Sequence, residues 1–335
     1  MNAFSHQPGH SQRFDVLLAS SNERSLDQFA SFHGDHTQVS QLSAGHFGAN
    51  AMSVDCGGIS IRLDRCNRTI EREITCGDDV LTFYVCADET PPQMSNSGIS
   101  QAKDCVFVLP PRANTVLIST ASSILLTAQM SYKLFLQRMS SMPDIVDWIK
   151  RLNGNGEYLK SNLIADRLRD VGYTALEFSE SDFWLRNPGV VEKHLVLSLV
   201  TGCTLQWLPE NAFSTYQQPR ALKRFQAARS IIQENPEVLN DGDPSGISSL
   251  GSRRSIEKAF SAMIEMGPVM YGRVLRLNRA RRKFRDRSLS EQSIGDIAAE
   301  EGFWDWSRFT SYYRKLFGEL PSETRNSPAR LKACA

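Results

Sequence analysis

At 335 residues the chain exceeds what one hydrophobic core of common size holds, so two or three packed units are expected; 41% hydrophobic and 22% charged residues exclude a largely disordered or fibrous protein. The formal net charge of +1 is unevenly placed: residues 252–335 hold seventeen Lys and Arg against ten Asp and Glu, a net of +7, which leaves −6 on residues 1–251. Charge is densest from Arg273 to Arg287, where eight cations face the single acid Asp286, and this predicts either a phosphate-rich partner or a solvated helix face.

Residues 1–36 are expected to form an N-terminal extension, and residues 1–14 contain no apolar stretch that reads as a signal sequence. The longest apolar-rich segment, residues 190–208, includes Glu192, Lys193 and His194, so no membrane span and a cytoplasmic location are expected. Seven cysteines without a CxxC pair suggest neither a disulfide framework nor a zinc ribbon. Four of them, Cys56, Cys66, Cys76 and Cys86, recur every ten residues, as one cysteine per successive strand would place them.

Between residues 37 and 130 the chain breaks into short apolar runs, ISIRLDRC, VLTFYVC, DCVFVLP, TVLIST and ILLTAQM, separated by turn-rich pieces such as CGDD and LPPRAN. That punctuation predicts an all-β sandwich or barrel over residues 37–140. Helical spacing follows in Leu134, Phe135, Met139, Ile145, Trp148, Ile149 and Leu152, so a helical connector is expected over residues 141–215. Within it residues 190–208 are apolar on most sides and need cover from their own domain or from a second subunit. Residues 219–235 predict an amphipathic helix, with Leu222, Phe225, Ala228 or Arg229, and Ile232 near one face and Pro236 beyond its end.

The most informative stretch is SIGDIAAEEGFWDWSRFTSYYRKLFGELP. Ser293 and Asp296 have the spacing of a capping box, Ile294, Ile297 and Ala298 supply one apolar face, and Gly302 stands where a left-handed residue can end the helix. Asp305 can cap a second helix whose Phe309, Tyr312, Tyr313 and Leu316 repeat at helical spacing up to Gly318, with Pro321 beyond. The second helix recurs 53 residues earlier without gaps: Ser252 stands for Asp305, Ile256 for Phe309, Phe260 for Tyr313, Met263 for Leu316 and Pro268 for Pro321. Between the copies, residues 268–287 would form a rod of roughly 30 Å at about 1.5 Å per residue, close to one turn of B-DNA at about 34 Å. Two helix-turn-helix units on such a rod can reach successive major grooves.

These segments, with SRRSIEKAF and GPVMYGRVLRLNRARRKF, resemble the AraC/XylS family of transcription regulators. The likeness covers about residues 219–325 and rests on the spacing of Ile294, Ile297, Ala298, Gly302, Phe303, Ser307, Phe309, Phe317, Gly318, Pro321, Ser322 and Arg325. It implies an α+β multidomain protein: a cupin-like N-terminal barrel for effector binding and dimerisation, to which VFVLPPRANTVLIS is more weakly similar, then the helical connector. An all-α DNA-binding domain over residues 219–327, with two helix-turn-helix units joined by a long helix, and a tail of residues 328–335 complete it. Double-stranded DNA, a small-molecule effector, a second copy of the chain and RNA polymerase are the implied partners.

The DNA-facing set is then Ser252, Arg253, Arg254, Ser255 and Lys258 in the first unit, Trp306, Ser307, Arg308, Thr310, Ser311, Arg314 and Lys315 in the second, and Arg281 and Arg282 on the rod. Arg253, Arg254 and Arg308 are candidates for bidentate readout of guanine, with phosphate contact the alternative for each. Phe309 and Tyr313 belong to the core; Trp304 is expected to pack.

One departure from the family pattern concerns the first unit. Residues 241–251, NDGDPSGISSLG with its preceding Asn240, are a poor helix, placing Asp241, Pro244 and Ser245 where the second unit has its apolar trio, so the first scaffold helix is expected to be missing or short and its recognition helix loosely held. An effector-binding or interaction protein with weakened DNA binding is therefore the alternative. An enzymatic barrel is disfavoured because the six histidines, His6, His10, His33, His36, His46 and His194, leave residues 50–130 without imidazole, and His33 and His36 suit a solvated loop. No GxSxG, GxxxxGK[ST] or GxGxxG motif occurs, so no catalytic site, cofactor or metal is expected.

Overall fold

The computed structural model describes residues 25–33, 37–56, 59–87, 105–178 apart from 142, 153, 155 and 161, and then 220–235, 239 and 244–327. Residues 190–208 lie outside them.

The N-terminal half is built on strands that alternate in chemistry. β1 (Thr37–Gln41), β4 (Ile70–Thr75) and β7 (Asn114–Ser119) form one antiparallel sheet in the order β1-β4-β7. β2 (Ala49–Cys56), β3 (Ile59–Cys66), β8 (Ile124–Ser131), β5 (Val80–Cys86), β6 (Cys105–Leu109) and β9 (Glu157–Lys160) form the other, in that spatial order. The expected strand runs correspond to β3, β5, β6, β7 and β8. β9 comes from the region expected to be only a helical connector: its four residues, EYLK, pair with β6 as an added edge, too short a run for alternation to announce.

Because side chains alternate along a strand, the six-stranded sheet has two different faces. Ile59, Ile61, Phe83, Val85, Leu126 and Ala128 lie on one, beneath α2 (Tyr132–Arg138), α3 (Pro143–Arg151) and α4 (Asn162–Phe178), which contribute Phe135, Ile149 and Leu168. The other faces the three-stranded sheet, where Ile74 and Leu117 meet Tyr84, Phe107, Leu109 and Leu125.

The region expected as an extension contains α1 (Leu26–Phe32), started by a capping box between Ser25 and Gln28. Its Leu26 and Phe29 are buried in a core that runs without a break from the sandwich into the C-terminal helices. His33 ends this helix with a largely covered side chain, its Nε2 3.7 Å from Asp64 Oδ2, rather than lying in a solvated loop; Phe29 and Asp64 draw it inward.

The C-terminal half comprises α5 (Arg220–Glu234), a 3-10 helix (Pro244–Leu250), α6 (Arg253–Ile264), α7 (Pro268–Arg285), α8 (Ile294–Glu300), α9 (Trp306–Phe317) and α10 (Pro321–Asn326). Ser252, Ser293 and Asp305 cap α6, α8 and α9 through their side chains, as their positions predict. The first scaffold helix is present in short form: the Pro–Ser–Gly opening suits a 3-10 turn, and Ile247 is fully buried. Nor is the helix after it loosely held. Ile256, Ala259, Phe260 and Ile264 are buried, and Phe260 packs between Phe225 and Tyr271 at ring separations of 4.8 and 5.5 Å.

The duplication extends to the helix ends. Gly318 closes α9 at φ 74°, and its counterpart Glu265 closes α6 at φ 57°, a left-handed conformation that a side chain adopts at a penalty of about 1–2 kcal/mol. Glu265→Gly is expected to stabilise the protein by about 1 kcal/mol, read from its urea midpoint. Gly318→Ala should destabilise it by at least about 1 kcal/mol, since a Cβ there would stand 2.8 Å from the His46 backbone nitrogen.

Candidate nucleic-acid interface

In α9, Phe309, Tyr313, Leu316 and Phe317 are turned inward. Phe309 packs on Phe284 and Phe303, and the Tyr313 hydroxyl shares a 2.8 Å hydrogen bond with Thr324 Oγ1. Satisfying the core with these residues leaves the opposite side of the helix to solvent. Trp306, Ser307, Thr310, Ser311, Arg314 and Lys315, with Leu320, line an open groove of about 660 Å³ there. All six were expected at DNA, and the structure brings them onto one surface. Arg308 is exposed beside them, 3.3 Å from Asp305, which also caps the helix.

In α6, Arg253, Arg254 and Lys258 are exposed, Ser252 is the cap and Ser255 is half-buried. Arg253 Nε lies 2.9 Å from Glu257 Oε1, one turn along the same surface. Trp304, expected to pack, is instead 85% exposed in the turn before α9. Phe303 takes the inward place, stacked 5.1 Å from Phe309 and covered by the Arg276 guanidinium, which turns its neighbour outward.

The rod helix α7 departs most from expectation. Its cations engage the protein itself. Arg273 stacks on Tyr312 at 4.4 Å, Arg276 donates to the Gly302 carbonyl at 3.2 Å, and Lys283 reaches Glu300 and Glu301, each at 2.8 Å. Arg281 is only 8% exposed: it pairs with Asp27 of α1 through two bonds of 2.7 and 3.1 Å and lies 3.3 Å from Glu319. Burial works against its charge, but Asp27 outweighs this and holds its pKa above the usual arginine value. The Arg282 guanidinium donates to Ser40 Oγ of β1 at 3.2 Å. Arg281 and Arg282 therefore link the two halves of the chain in this structure: Arg281 is buried against Asp27 and Glu319, which takes it away from any DNA surface, whereas Arg282 stays exposed beside its bond to Ser40.

The same join contains groups that sequence reasoning missed. Glu71 of β4 is buried and accepts from Arg229 Nε and Nη2 at 3.1 and 3.2 Å, from the Tyr271 hydroxyl at 2.8 Å and from Gln233 at 2.9 Å. Burial opposes the Arg229 charge, but Glu71 more than offsets it; burial and Glu71 together push the Tyr271 hydroxyl well above the usual tyrosine range. At the middle of the rod, Asn278 exchanges two 2.9 Å bonds with the Gln41 backbone, and the Gln41 amide donates to the Leu316 carbonyl at the end of α9. A Glu in a polar strand and an Asn among arginines give one sequence no sign of being partners about 160 to 240 positions apart.

Two short helices joined by a turn, repeated on either side of a rigid helix and each presenting a cationic outer surface, define a bipartite helix-turn-helix DNA-binding domain. Residues 251–327 match the helix-turn-helix domain family. The chain is 40% identical over 75 residues to the HTH-type transcriptional regulator ArgR of Pseudomonas aeruginosa, covering 22% of this chain and 22% of that one. It is 38% identical over 100 residues to the XylDLEGF operon transcriptional activator of Pseudomonas putida, covering 30% and 31%. Among solved structures it is similar to the AraC-like transcriptional activator CuxR, at 16% identity and a TM-score of 0.38 over 75% of this chain and 90% of that one. ToxT from Vibrio cholerae matches at 12% identity and a TM-score of 0.26 over 86% and 95%. Residues 251–327 thus carry a helix-turn-helix domain, and over 75 to 100 residues the chain is similar to the two Pseudomonas regulators. The aligned part spans between about a fifth and a third of the length of these two curated relatives. Among the described residues no helix is long and apolar enough to cross a membrane.

Proposed function

We propose that the protein is a sequence-specific DNA-binding regulator of transcription, with α6 and α9 entering successive major grooves and the N-terminal sandwich adjusting their grip in response to a small molecule. The observation that carries this reading is the division of α9: its aromatic side is fully used by the core, while its outer groove gathers polar and cationic groups. Arg253, Arg254 and Arg308 are the base readers in this reading; Lys258, Arg314 and Lys315 hold phosphates. Trp306 sets its ring against a base edge, and pairing of two chains and contact with RNA polymerase belong to the same proposal. The curated relatives are named transcriptional regulators or activators, in keeping with it.

Regulation from the N-terminal half has a physical route in β4, whose successive residues point opposite ways. Arg72 faces the sandwich interior, while Glu71 and Glu73 on either side hold α5 and α7. A ligand that shifts β4 would move the rod.

Binding to a duplex from the gene's own upstream region, followed by anisotropy, is expected to weaken with salt by about 0.9 log units per log unit for each phosphate neutralised. A flat salt response would contradict DNA binding through these cations.

A further inference from the structure

We infer that the second recognition unit reads the C5 methyl group of thymine, through Trp306 and Thr310 of α9 with Trp304 in the turn before it, and that the first unit does not. This rests on the reading of α6 and α9 as DNA readers, and it names a base that α9 selects.

Residues 304–308 form an unbroken exposed run at the start of α9, and two of the five are tryptophans. Trp306 is 50% exposed. Its ring lies 5.7 Å from that of Phe309 at an interplanar angle of 35°, and its Cζ3 edge would stand 4.0 Å from a Cβ at Gly295 of α8. Part of the ring is thus held against protein, and the rest lines the groove. Trp304 is 85% exposed, one position before the cap Asp305, and makes no ring contact or hydrogen bond among the described residues.

Thr310 follows Trp306 by four residues, so the two share one strip of the helix surface. Its Oγ1 is buried and has no hydrogen-bond partner among the described residues, so the part of this side chain that can meet a partner is carbon. Leu320 adds a further apolar group to the same groove. Carbon set among Ser307, Ser311, Arg314 and Lys315 calls for an apolar group that itself sits among phosphates and hydrogen-bonding base edges. In the major groove that group is the thymine C5 methyl. An apolar patch of another protein would leave the cations of this surface without the phosphates that neutralise them.

The duplication supplies a contrast. At the offset of 53 residues, Trp304, Trp306 and Thr310 correspond to Gly251, Arg253 and Glu257, and Arg253 pairs with Glu257 at 2.9 Å. α6 offers charge where α9 offers carbon. The two half-sites are then unlike, and the pair has a direction along the duplex.

The test uses the full chain and the duplexes it enriches from a random pool, resynthesised with deoxyuridine for thymine, first throughout and then one position at a time. Deoxyuridine keeps the base pair and lacks only the methyl. Full replacement should weaken binding by at least about fivefold, with one or two thymines of a single half-site carrying the loss, and replacement in the other half-site should cost less than about twofold. Trp306→Ala should bind the two kinds of duplex within about twofold of each other. Trp304→Ala should keep its Tm, since it removes only an exposed side chain, and should show a smaller ratio between the two duplexes than the unaltered chain. Thr310→Val retains the methyl carbon and should retain the full ratio. Equal affinity of the unaltered chain for the two duplexes, a loss spread evenly over both half-sites, or an unchanged ratio in either tryptophan variant would overturn the inference while leaving DNA binding in place. Enrichment of no sequence would overturn it together with the reading on which it rests.

Discussion

Glu71→Ala is expected to lower the stability of the folded protein by about 3–5 kcal/mol, because it leaves the Arg229 guanidinium buried without the carboxylate that neutralises it. Glu73 does not replace that partner: it lies 3.9 Å from Arg229 and is partly exposed. Tyr271 and Gln233 lose an acceptor at the same time. Removing both charges as Glu71→Met with Arg229→Met should restore most of the loss, since the penalty comes from the widowed charge rather than from the absent attraction. Urea unfolding of the unaltered chain and the two variants decides it. A loss below about 1 kcal/mol in the single variant, or a double variant no better than the single, would remove this cluster from its place as the main fastening between the halves.

The second large effect concerns recognition. Arg308→Ala and Arg254→Ala should each reduce affinity for the specific duplex by about 1–3 kcal/mol, roughly 5- to 150-fold, with a smaller loss on unrelated duplex. The two arginines lie on different recognition helices, held apart by the 18-residue rod of about 27 Å, so their effects are expected to add. Competition binding against specific and unrelated duplexes measures both quantities. Equal loss on the two would make these arginines phosphate contacts.

Local chemistry announced the recognition units well. Ser293, Asp305 and Gly318 act through hydrogen bonds and backbone angles within a few residues, so the helix starts and stops were legible, as was the inward set of Phe309 and Tyr313. The strands whose apolar residues form long runs were legible for the same reason. β4, reading IEREIT, was not: its charged residues look solvent-facing in sequence, yet Glu71 and Arg72 are both buried because each has a partner far along the chain.

The density of arginine from residue 273 to residue 287 misled for a related reason. Charge along a sequence does not say which neighbour will claim it, and here acids and carbonyls from α1, α5, α8 and α10 do so. The rod is held by its cations, while the exposed candidate readers stand on the helices at either side. The poor helix signal of residues 241–251 likewise reflected a short 3-10 scaffold, anchored in the core by the buried Ile247 with Leu250 packed beside it.

Selection of bound duplexes from a random pool, using the full chain, tests the central claim most directly. Two half-sites about ten base pairs apart on one side of the duplex are predicted, one for each recognition helix. Enrichment of a single short half-site, or of no sequence at all, would contradict it.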